Sequence, residues 1–236
     1  MTGREYRGPD SRRVQAMFAG IAHRYDFLNH FLSVSIDRRW RNLAVRKLRD
    51  LTGDASPRCC LDVCSGTGDL ALALHRGFGC EVVASDFCHP MLTRASRKLG
   101  EQVRVVEADA LQLPFSDRSF DALTIAFGLR NLEDPSRGLS EMKRVLRPGG
   151  AIVILEFSKP VVPVLRHSFN FYFHHILPKL GALISGNGTA YQYLPESVGR
   201  FPSQAELLRL MESAGFRSPG YRNLSGGIAA LHWART

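Results

Sequence analysis

The sequence has no apolar run long enough to cross a membrane, because charges, proline or glycine interrupt each candidate stretch well before about 18 residues. The first ten residues are polar and lack the apolar segment of a secretory signal. Hydrophobic residues make up 44% and charged residues 22% of the 236, which excludes a mainly disordered chain. We therefore expect a single globular domain over 1–236, cytoplasmic or peripheral at the inner face of the membrane.

Cysteine is scarce and shows no pairing pattern. The five cysteines include no C-x-x-C motif, and a disulfide framework is not expected in a reducing compartment. The candidate ligands of a zinc site would be Cys60, Cys64 and His75, which lie near one another in the sequence. Thiols on or beside buried strands act as small hydrophobes, so we predict no metal site.

Acidic residues are outnumbered, with 22 Asp and Glu against 31 Lys and Arg and a net charge of +9. Residues 1–58 hold 12 of the basic and 6 of the acidic residues. The densest patch, called the basic run below, is Arg38-Arg39-Trp40-Arg41 followed by Arg46-Lys47. It is typical of a solvated helix face, and contact with an anionic membrane stays open. Nucleic acid is not expected as a partner, because basic and aromatic residues do not interleave beyond Trp40.

Short apolar runs alternate with helical segments from residue 59 onward, which predicts a parallel sheet with right-handed crossovers. The expected strands are 59–64, 81–86, 103–108, 122–127 and 151–156, and the expected helices are 69–76, 90–99 and 135–146. A capping box at 203–206 opens another helix, and a strand hairpin over 216–234 follows it. This pattern predicts an α/β fold with a seven-stranded, mostly parallel sheet and one antiparallel strand.

Two segments lie outside this core of residues 59–158 and the C-terminal helix and hairpin of 203–234. Residues 12–50 are predicted as amphipathic helices, with an apolar face that includes Val14, Phe18 and Ile21. Residues 161–197 are rich in aromatic side chains and are predicted as a helical lid that caps the site.

A glycine-rich loop carries the strongest local signal. It follows the first strand and opens a helix, where glycines allow a ligand to approach the backbone. Asp62 precedes the glycines and suits a cationic group, whereas it would repel a pyrophosphate. Asp86 ends the next strand, where a carboxylate can accept hydrogen bonds from ribose hydroxyls in S-adenosylmethionine or NAD alike. Asp62, together with Ala71 in place of a third glycine, favours S-adenosylmethionine, which has a positive amino group and no phosphate.

A third loop agrees with this interpretation. Asp109 and Ala110 follow the third strand, where a carboxylate and the next backbone N–H can bind an adenine edge. Loops at successive strand ends converge on one crevice of an open α/β sheet, although each aspartate taken alone is equally typical of a loop or helix cap. The predicted cofactor-binding residues are Asp62, Gly66, Thr67, Gly68, Asp86, Asp109 and Ala110.

Several longer motifs resemble those of the menaquinone/ubiquinone biosynthesis C-methyltransferases, a family of Rossmann-like class I S-adenosylmethionine-dependent enzymes. The resemblance spans about residues 12–234. The matching stretches are FAGIAHRYDFLN (18–29), LDVCSGTGDLA (61–71), FGLRNLED (127–134), RVLRPGG (144–150), EFSKP (156–160), YLPESVGRFP (193–202), AGF (214–216) and NLSGGIAALH (223–232). RVLRPGG is common to many methyltransferases, whereas FGLRN, EFSKP and the RYD-x-LN stretch are more specific.

The resemblance implies methylation of a ring carbon of a polyprenyl hydroquinone, with demethylmenaquinol as the expected substrate and a ubiquinone-pathway benzoquinol, or both, as the alternative. It implies cofactor contacts at Thr67, Asp86, Asp109 and Ala110. Cys64 departs from the first glycine of many class I loops. Ala126 stands where some ubiquinone-pathway members carry a cofactor-contacting serine, which favours the menaquinone branch. The expected partners are the quinol and a transient membrane-surface contact, and a homodimer stays open.

Arg130 and Asn131 are the predicted catalytic residues, because they follow the fourth strand at the ligand edge. A guanidinium stays charged and can stabilise a phenolate. The alternative is that Arg130 pairs with Glu133 or Asp134 on the surface. Weaker candidates for a base are Tyr25, His174 and His175.

Overall fold

The computed structural model describes residues 7–24, 36–53, 56–162 and 188–236. Tyr25, His174 and His175 lie outside these residues, as does most of the predicted lid. The helices are α1 (Ser11–Ile21), α2 (Ile36–Thr52), α3 (Asp69–Phe78), α4 (His89–Leu99), α5 (Pro135–Val145), α6 (Gly188–Arg200) and α7 (Gln204–Ser213). The strands are β1 (Cys59–Val63), β2 (Glu81–Asp86), β3 (Arg104–Glu107), β4 (Phe120–Ala126), β5 (Leu146–Phe157), β6 (Arg217–Leu224) and β7 (Ala229–Arg235).

The seven strands form one sheet in the order β3-β2-β1-β4-β5-β7-β6. The first five strands run parallel, and β7 is antiparallel to both of its neighbours. This confirms the predicted fold with its single antiparallel strand. All five parallel strands therefore end at the same edge, called the carboxyl edge below, where ligands bind in open α/β sheets.

Helices cover the two faces of the sheet and bury a core on each. On one face, α2, α3 and α4 pack against the strands through residues such as Leu48, Leu74 and Leu99. On the other face, α5 and α7 pack through residues such as Met142 and Met211. Because side chains alternate between the faces of a strand, Leu61 and Val63 face the α5–α7 layer. Asp62 lies between them and faces the α2–α3–α4 layer.

Local signals explain where several elements begin and end. The Ser203 and Glu206 capping box opens α7 as predicted. Pro135 occupies the first turn of α5, and Asp134 accepts a hydrogen bond from the Arg137 N–H there. The fifth strand begins at Leu146 rather than 151, because Leu146 pairs with Phe120 across an irregular ladder. Among the described residues, no helix has the length and apolar character of a membrane span.

Candidate functional site: a cleft at the carboxyl edge

A cleft lies at the carboxyl edge, between the loops after β1 to β4 and the N-terminal helix α1. It encloses about 680 Å³, including the part open to solvent. Its polar lining comes from the strand ends, and its apolar lining includes Phe18 of α1 and Met91 of α4. The lining residues are Ser11, Phe18, Cys64, Gly66, Asp86, Phe87, Met91, Ala108, Asp109, Ala110, Leu111, Ala126, Phe127, Gly128, Asn131, Leu132 and Glu133.

Asp86 connects the first two loops of the cleft. Its Oδ2 accepts a hydrogen bond from the Gly66 N–H at 2.8 Å, and its Oδ1 accepts one from the Cys88 N–H at 2.9 Å. Burial raises the pKa of this carboxyl group, and these backbone donors oppose the rise. Each carboxylate oxygen has two lone pairs, so Asp86 keeps the capacity to accept from a ribose hydroxyl.

Asp109 and Ala110 form the far wall of the cleft. Asp109 is exposed, and its Oδ1 accepts a hydrogen bond from the Leu111 N–H at 2.8 Å. This bond fixes the loop so that its carboxylate and the following backbone lie on the cleft surface. The structure therefore brings Gly66, Asp86, Asp109 and Ala110 together at one site.

Asp62 lies below the glycine-rich loop, 1% exposed. Its Oδ1 accepts a hydrogen bond from the Thr124 hydroxyl at 2.6 Å, whereas its buried Oδ2 has no hydrogen-bond partner among the described residues. Burial raises the pKa of Asp62 from 3.8 to about 7, and the Thr124 hydroxyl, the charge of Arg41 and the Ala71 N–H limit the rise. A buried carboxylate oxygen without a donor is the expected partner for a cationic group.

Thr67 and Gly68 do not line the cleft. Thr67 is 2% exposed, and its hydroxyl accepts a hydrogen bond from Lys98 Nζ at 3.3 Å. Gly68 begins α3 with a φ of +86°, and a Cβ there would lie 2.6 Å from Leu99 Cδ1. In this structure both residues hold the loop against α4, and their predicted contact with a cofactor stays a prediction.

Arg130 is buried beside the cleft without lining it. Its Nη1 lies 2.7 Å from Glu156 Oε1 and also donates to the Phe127 carbonyl. The Arg130 N–H donates to Glu156 Oε2 at 3.2 Å, and the Phe157 N–H donates to Oε1 at 2.8 Å. The alternative pairing with the surface acids Glu133 or Asp134 is wrong, because the guanidinium pairs with a buried carboxylate at the end of β5.

Asn131 lines the cleft in a fixed orientation. Its Nδ2 donates to the Phe127 carbonyl at 3.1 Å, and its Oδ1 accepts from the Tyr193 hydroxyl at 2.8 Å. Tyr193 belongs to α6, so this bond connects the C-terminal part of the predicted lid to the cleft wall. Tyr193 lies in the YLPESVGRFP stretch but was not predicted as a site residue.

Sequence reasoning also missed Phe127 as a site residue. Its backbone is left-handed, with a φ of +57°, which is unusual for a bulky side chain. Its ring lies 4.5 Å from the Phe157 ring and 6.2 Å from the Trp40 ring, centroid to centroid. The available signal was its position, directly after β4 and three residues before Arg130. Phe127 forms an aromatic wall between the cleft and α2.

The lining residues fit S-adenosylmethionine. Those among the described residues include three carboxylates, Asp86, Asp109 and Glu133, and no lysine, arginine or histidine. An anionic phosphate cofactor would meet only like charge there, whereas a sulfonium cation is favoured. Asp62 is not among the lining residues, and its predicted contact with the positive amino group stays a prediction. Among the described residues, no group of His, Cys, Asp and Glu side chains could hold a metal ion.

Comparison with known proteins identifies the family. Residues 7–236 match the model of the ubiE/COQ5 methyltransferase family. The chain belongs to this family. A demethylmenaquinone methyltransferase of Thermus thermophilus is 51% identical over 220 residues, which cover 92% of this chain and 98% of the relative. A ubiquinone/menaquinone biosynthesis C-methyltransferase UbiE of Idiomarina loihiensis is 42% identical over 93% of this chain and 88% of its own length.

The fold is also that of solved methyltransferase structures. A SAM dependent methyltransferase from Aquifex aeolicus superposes with a TM-score of 0.58 at 21% identity, covering 81% of this chain and 88% of that one. The chain is an S-adenosylmethionine-dependent methyltransferase of the ubiE/COQ5 family, and four of its predicted cofactor residues, Gly66, Asp86, Asp109 and Ala110, line the cleft.

Proposed function

We propose that this methyltransferase methylates a ring carbon of a polyprenyl hydroquinone and converts demethylmenaquinol to menaquinol. The observation that carries the reaction class is the cleft lining, to which the described part of the chain contributes three carboxylates and no cationic side chain. The quinol is inferred from family membership and from the names of relatives that are about half identical to this chain.

The chemistry requires an activated ring carbon. S-adenosylmethionine supplies an electrophilic methyl group on its sulfonium. A phenol has a pKa of about 10, so a donor or positive charge near its oxygen increases the phenolate fraction and the electron density at the adjacent carbon. The chain must therefore bind the hydroquinone oxygen, align the ring and exclude water.

Asn131 is our candidate for direct contact with the substrate. One N–H of its amide is used by the Phe127 carbonyl, and the amide lines the cleft beside that ring. An NH₂ group has two donors, so the second N–H can reach a quinol oxygen. Tyr193 fixes the amide by donating to Oδ1.

Arg130 is our candidate for electrostatic support of the phenolate. Its charge lies next to Asn131, behind the cleft lining, and is shared with Glu156 at 2.7 Å. The same guanidinium donates to the Phe127 carbonyl. We expect Arg130→Ala to lower kcat while the affinity for S-adenosylhomocysteine stays nearly unchanged. An unchanged kcat would remove Arg130 from the mechanism.

The substrate is tested by methyl transfer from labelled S-adenosylmethionine to two quinols, demethylmenaquinol and its benzoquinol counterpart, in detergent under reducing conditions. Ala126 at the end of β4 lines the cleft without a hydroxyl group, and we expect label on the naphthoquinol alone. Label on both quinols would support the dual activity that the name of the Idiomarina loihiensis relative describes. Label on neither, with cofactor binding intact, would refute the quinol assignment.

We also propose that the α2–α3–α4 face of the sheet contacts an anionic membrane surface, where a polyprenyl substrate resides. These three helices carry ten Lys and Arg against three Asp, whereas α5 and α7 carry four Lys and Arg against three Glu. In the basic run, Arg38, Arg39 and Arg46 are exposed. Each exposed cation near an anionic bilayer contributes about 1 kcal/mol at moderate salt.

Sedimentation with phosphatidylglycerol vesicles tests this contact. We expect binding that weakens as salt rises, and a strong loss in the Arg38→Glu/Arg39→Glu/Arg46→Glu variant. The control is Arg217→Glu/Arg222→Glu, which reverses two exposed charges on β6. Equal losses in both variants, or binding that ignores salt, would count against the proposal, as would tighter binding to RNA than to vesicles.

A further inference from the structure

The basic run divides into two environments. Arg38 and Arg39 are exposed, whereas Arg41 is only 8% exposed. Burial of a guanidinium without anionic partners destabilises the folded state, because the charge loses its hydration. Arg41 has two: it forms an ion pair with Asp37, four residues earlier on α2, and a longer one with Asp69. Burial of this one arginine within a surface-directed run indicates a role inside the molecule.

Arg41 lies against the wall of the cofactor cleft. Its Cζ is 5.8 Å from the centroid of the Phe127 ring, and Phe127 lines the cleft. Asp62 faces the same layer of the sheet as α2, and the positive charge of Arg41 lowers the pKa of Asp62. The guanidinium therefore lies beside Phe127 and close enough to Asp62 for its charge to act on that carboxyl group.

Several N–H groups of the Arg41 guanidinium donate to no described residue. Nη1 donates to Asp37, but Nη2 lies 3.7 Å from Asp69 Oδ2, beyond hydrogen-bond distance. A guanidinium carries five N–H donors in a planar fork that suits a carboxylate. Among the described residues, Asp37 is the one acceptor that bonds to this side chain, so several donors are available to a ligand.

S-adenosylmethionine carries a carboxylate that can accept hydrogen bonds from Arg41. The amino group and the carboxylate of its methionine part are attached to the same carbon, so binding of the amino group at Asp62 brings the carboxylate close by. Within residues 7–24, 36–53, 56–162 and 188–236, no cationic side chain lines the cleft. We propose that Arg41 binds the carboxylate of S-adenosylmethionine, as the partner of Asp62 in holding the two charges of the amino acid. The proposal rests on the cofactor and not on the quinol.

The test compares two ligands that differ only in this carboxylate, S-adenosylmethionine and decarboxylated S-adenosylmethionine, by titration calorimetry. We expect Arg41→Met to weaken binding of S-adenosylmethionine roughly 10- to 100-fold, the range for a charged hydrogen bond. Binding of the decarboxylated ligand should change less than about twofold, because the contact is absent in both proteins. The control is Arg39→Met, an exposed residue of the same helix, which should change neither affinity.

A second variant keeps the test valid if Arg41→Met fails to fold, since that change removes the ion pair with the buried Asp37. Arg41→Lys retains the charge and loses the planar fork, and its loss should also be confined to the carboxylate-bearing ligand. Equal weakening for both ligands, or no change for either, in a folded variant would overturn the proposal and assign the carboxylate to the backbone N–H groups at the start of α3. Because no quinol is present, neither result bears on the substrate.

Discussion

Asp62→Asn should stabilise the protein without cofactor while it destroys the cofactor site. Burial raises the pKa of Asp62 from 3.8 to about 7, and each pH unit corresponds to 1.36 kcal/mol. Ionised Asp62 therefore costs the folded state about 4 kcal/mol relative to the unfolded chain. Asparagine is isosteric, keeps an oxygen that accepts from the Thr124 hydroxyl and carries no charge.

The pH dependence has a definite sign. Below about pH 4 the carboxyl group is protonated in both states, so ionisation has no effect on stability. As pH rises from 3.8 toward 7, the unfolded chain releases its proton and the folded protein retains it, so wild-type stability falls. Above about pH 7 the full cost applies. The advantage of Asp62→Asn should grow over this range to about 4 kcal/mol at most, reduced by the desolvation of the new NH₂ group, which replaces the buried Oδ2.

Urea unfolding without ligand at pH 5 and pH 8 measures this difference. The matched control is Asp121→Asn at the other edge of the sheet. Partial burial would raise the pKa of Asp121, but Arg147 and the N–H groups of Arg58 and Cys59 lower it overall, so this variant should be less stable than wild type at pH 8. Our reasoning would be refuted if Asp62→Asn were the less stable protein at pH 8, or if its advantage did not depend on pH.

Three further substitutions follow from the site. Glu156→Gln removes the counter-ion of buried Arg130 and should lower the free energy of unfolding by about 3 kcal/mol in urea titrations; a neutral result would mean that the pair contributes nothing. Tyr193→Phe removes the hydrogen bond to the cleft amide and should reduce kcat severalfold in steady-state assays, with S-adenosylhomocysteine affinity unchanged; equal loss of both would indicate a general folding defect. Gly128→Ala places a Cβ 2.4 Å from Cys64 Cβ and should lower stability by about 1 to 3 kcal/mol; a melting temperature equal to wild type would contradict the close packing.

Strand positions were predictable because alternating apolar runs and glycine-rich turns are local signals. The start of β5 was not, because Arg-Pro-Gly-Gly has turn composition, while the structure pairs Leu146 with Phe120. This pairing depends on the register of two strands and not on local preference. The positions of Asp86 and Asp109 at the cleft were predictable, since the ends of parallel strands meet at one edge.

Contacts between distant residues account for most of what the sequence did not reveal. Glu156 is 26 residues from Arg130, and no local pattern joins the end of β5 to the loop after β4. The burial of Arg41 was easier to predict from the sequence. It follows Asp37 and precedes Val45 at steps of four residues, and all three are buried on one side of α2. This periodicity separates Arg41 from its exposed neighbours.

The most direct test of the proposed function is the position of the transferred methyl group. The product from carbon-13-labelled S-adenosylmethionine and demethylmenaquinol would be analysed by NMR. We predict a methyl signal on the ring carbon next to a hydroxyl-bearing carbon, and no signal from a methoxy group. A methoxy product, or no transfer from an enzyme that binds S-adenosylhomocysteine normally, would contradict the account.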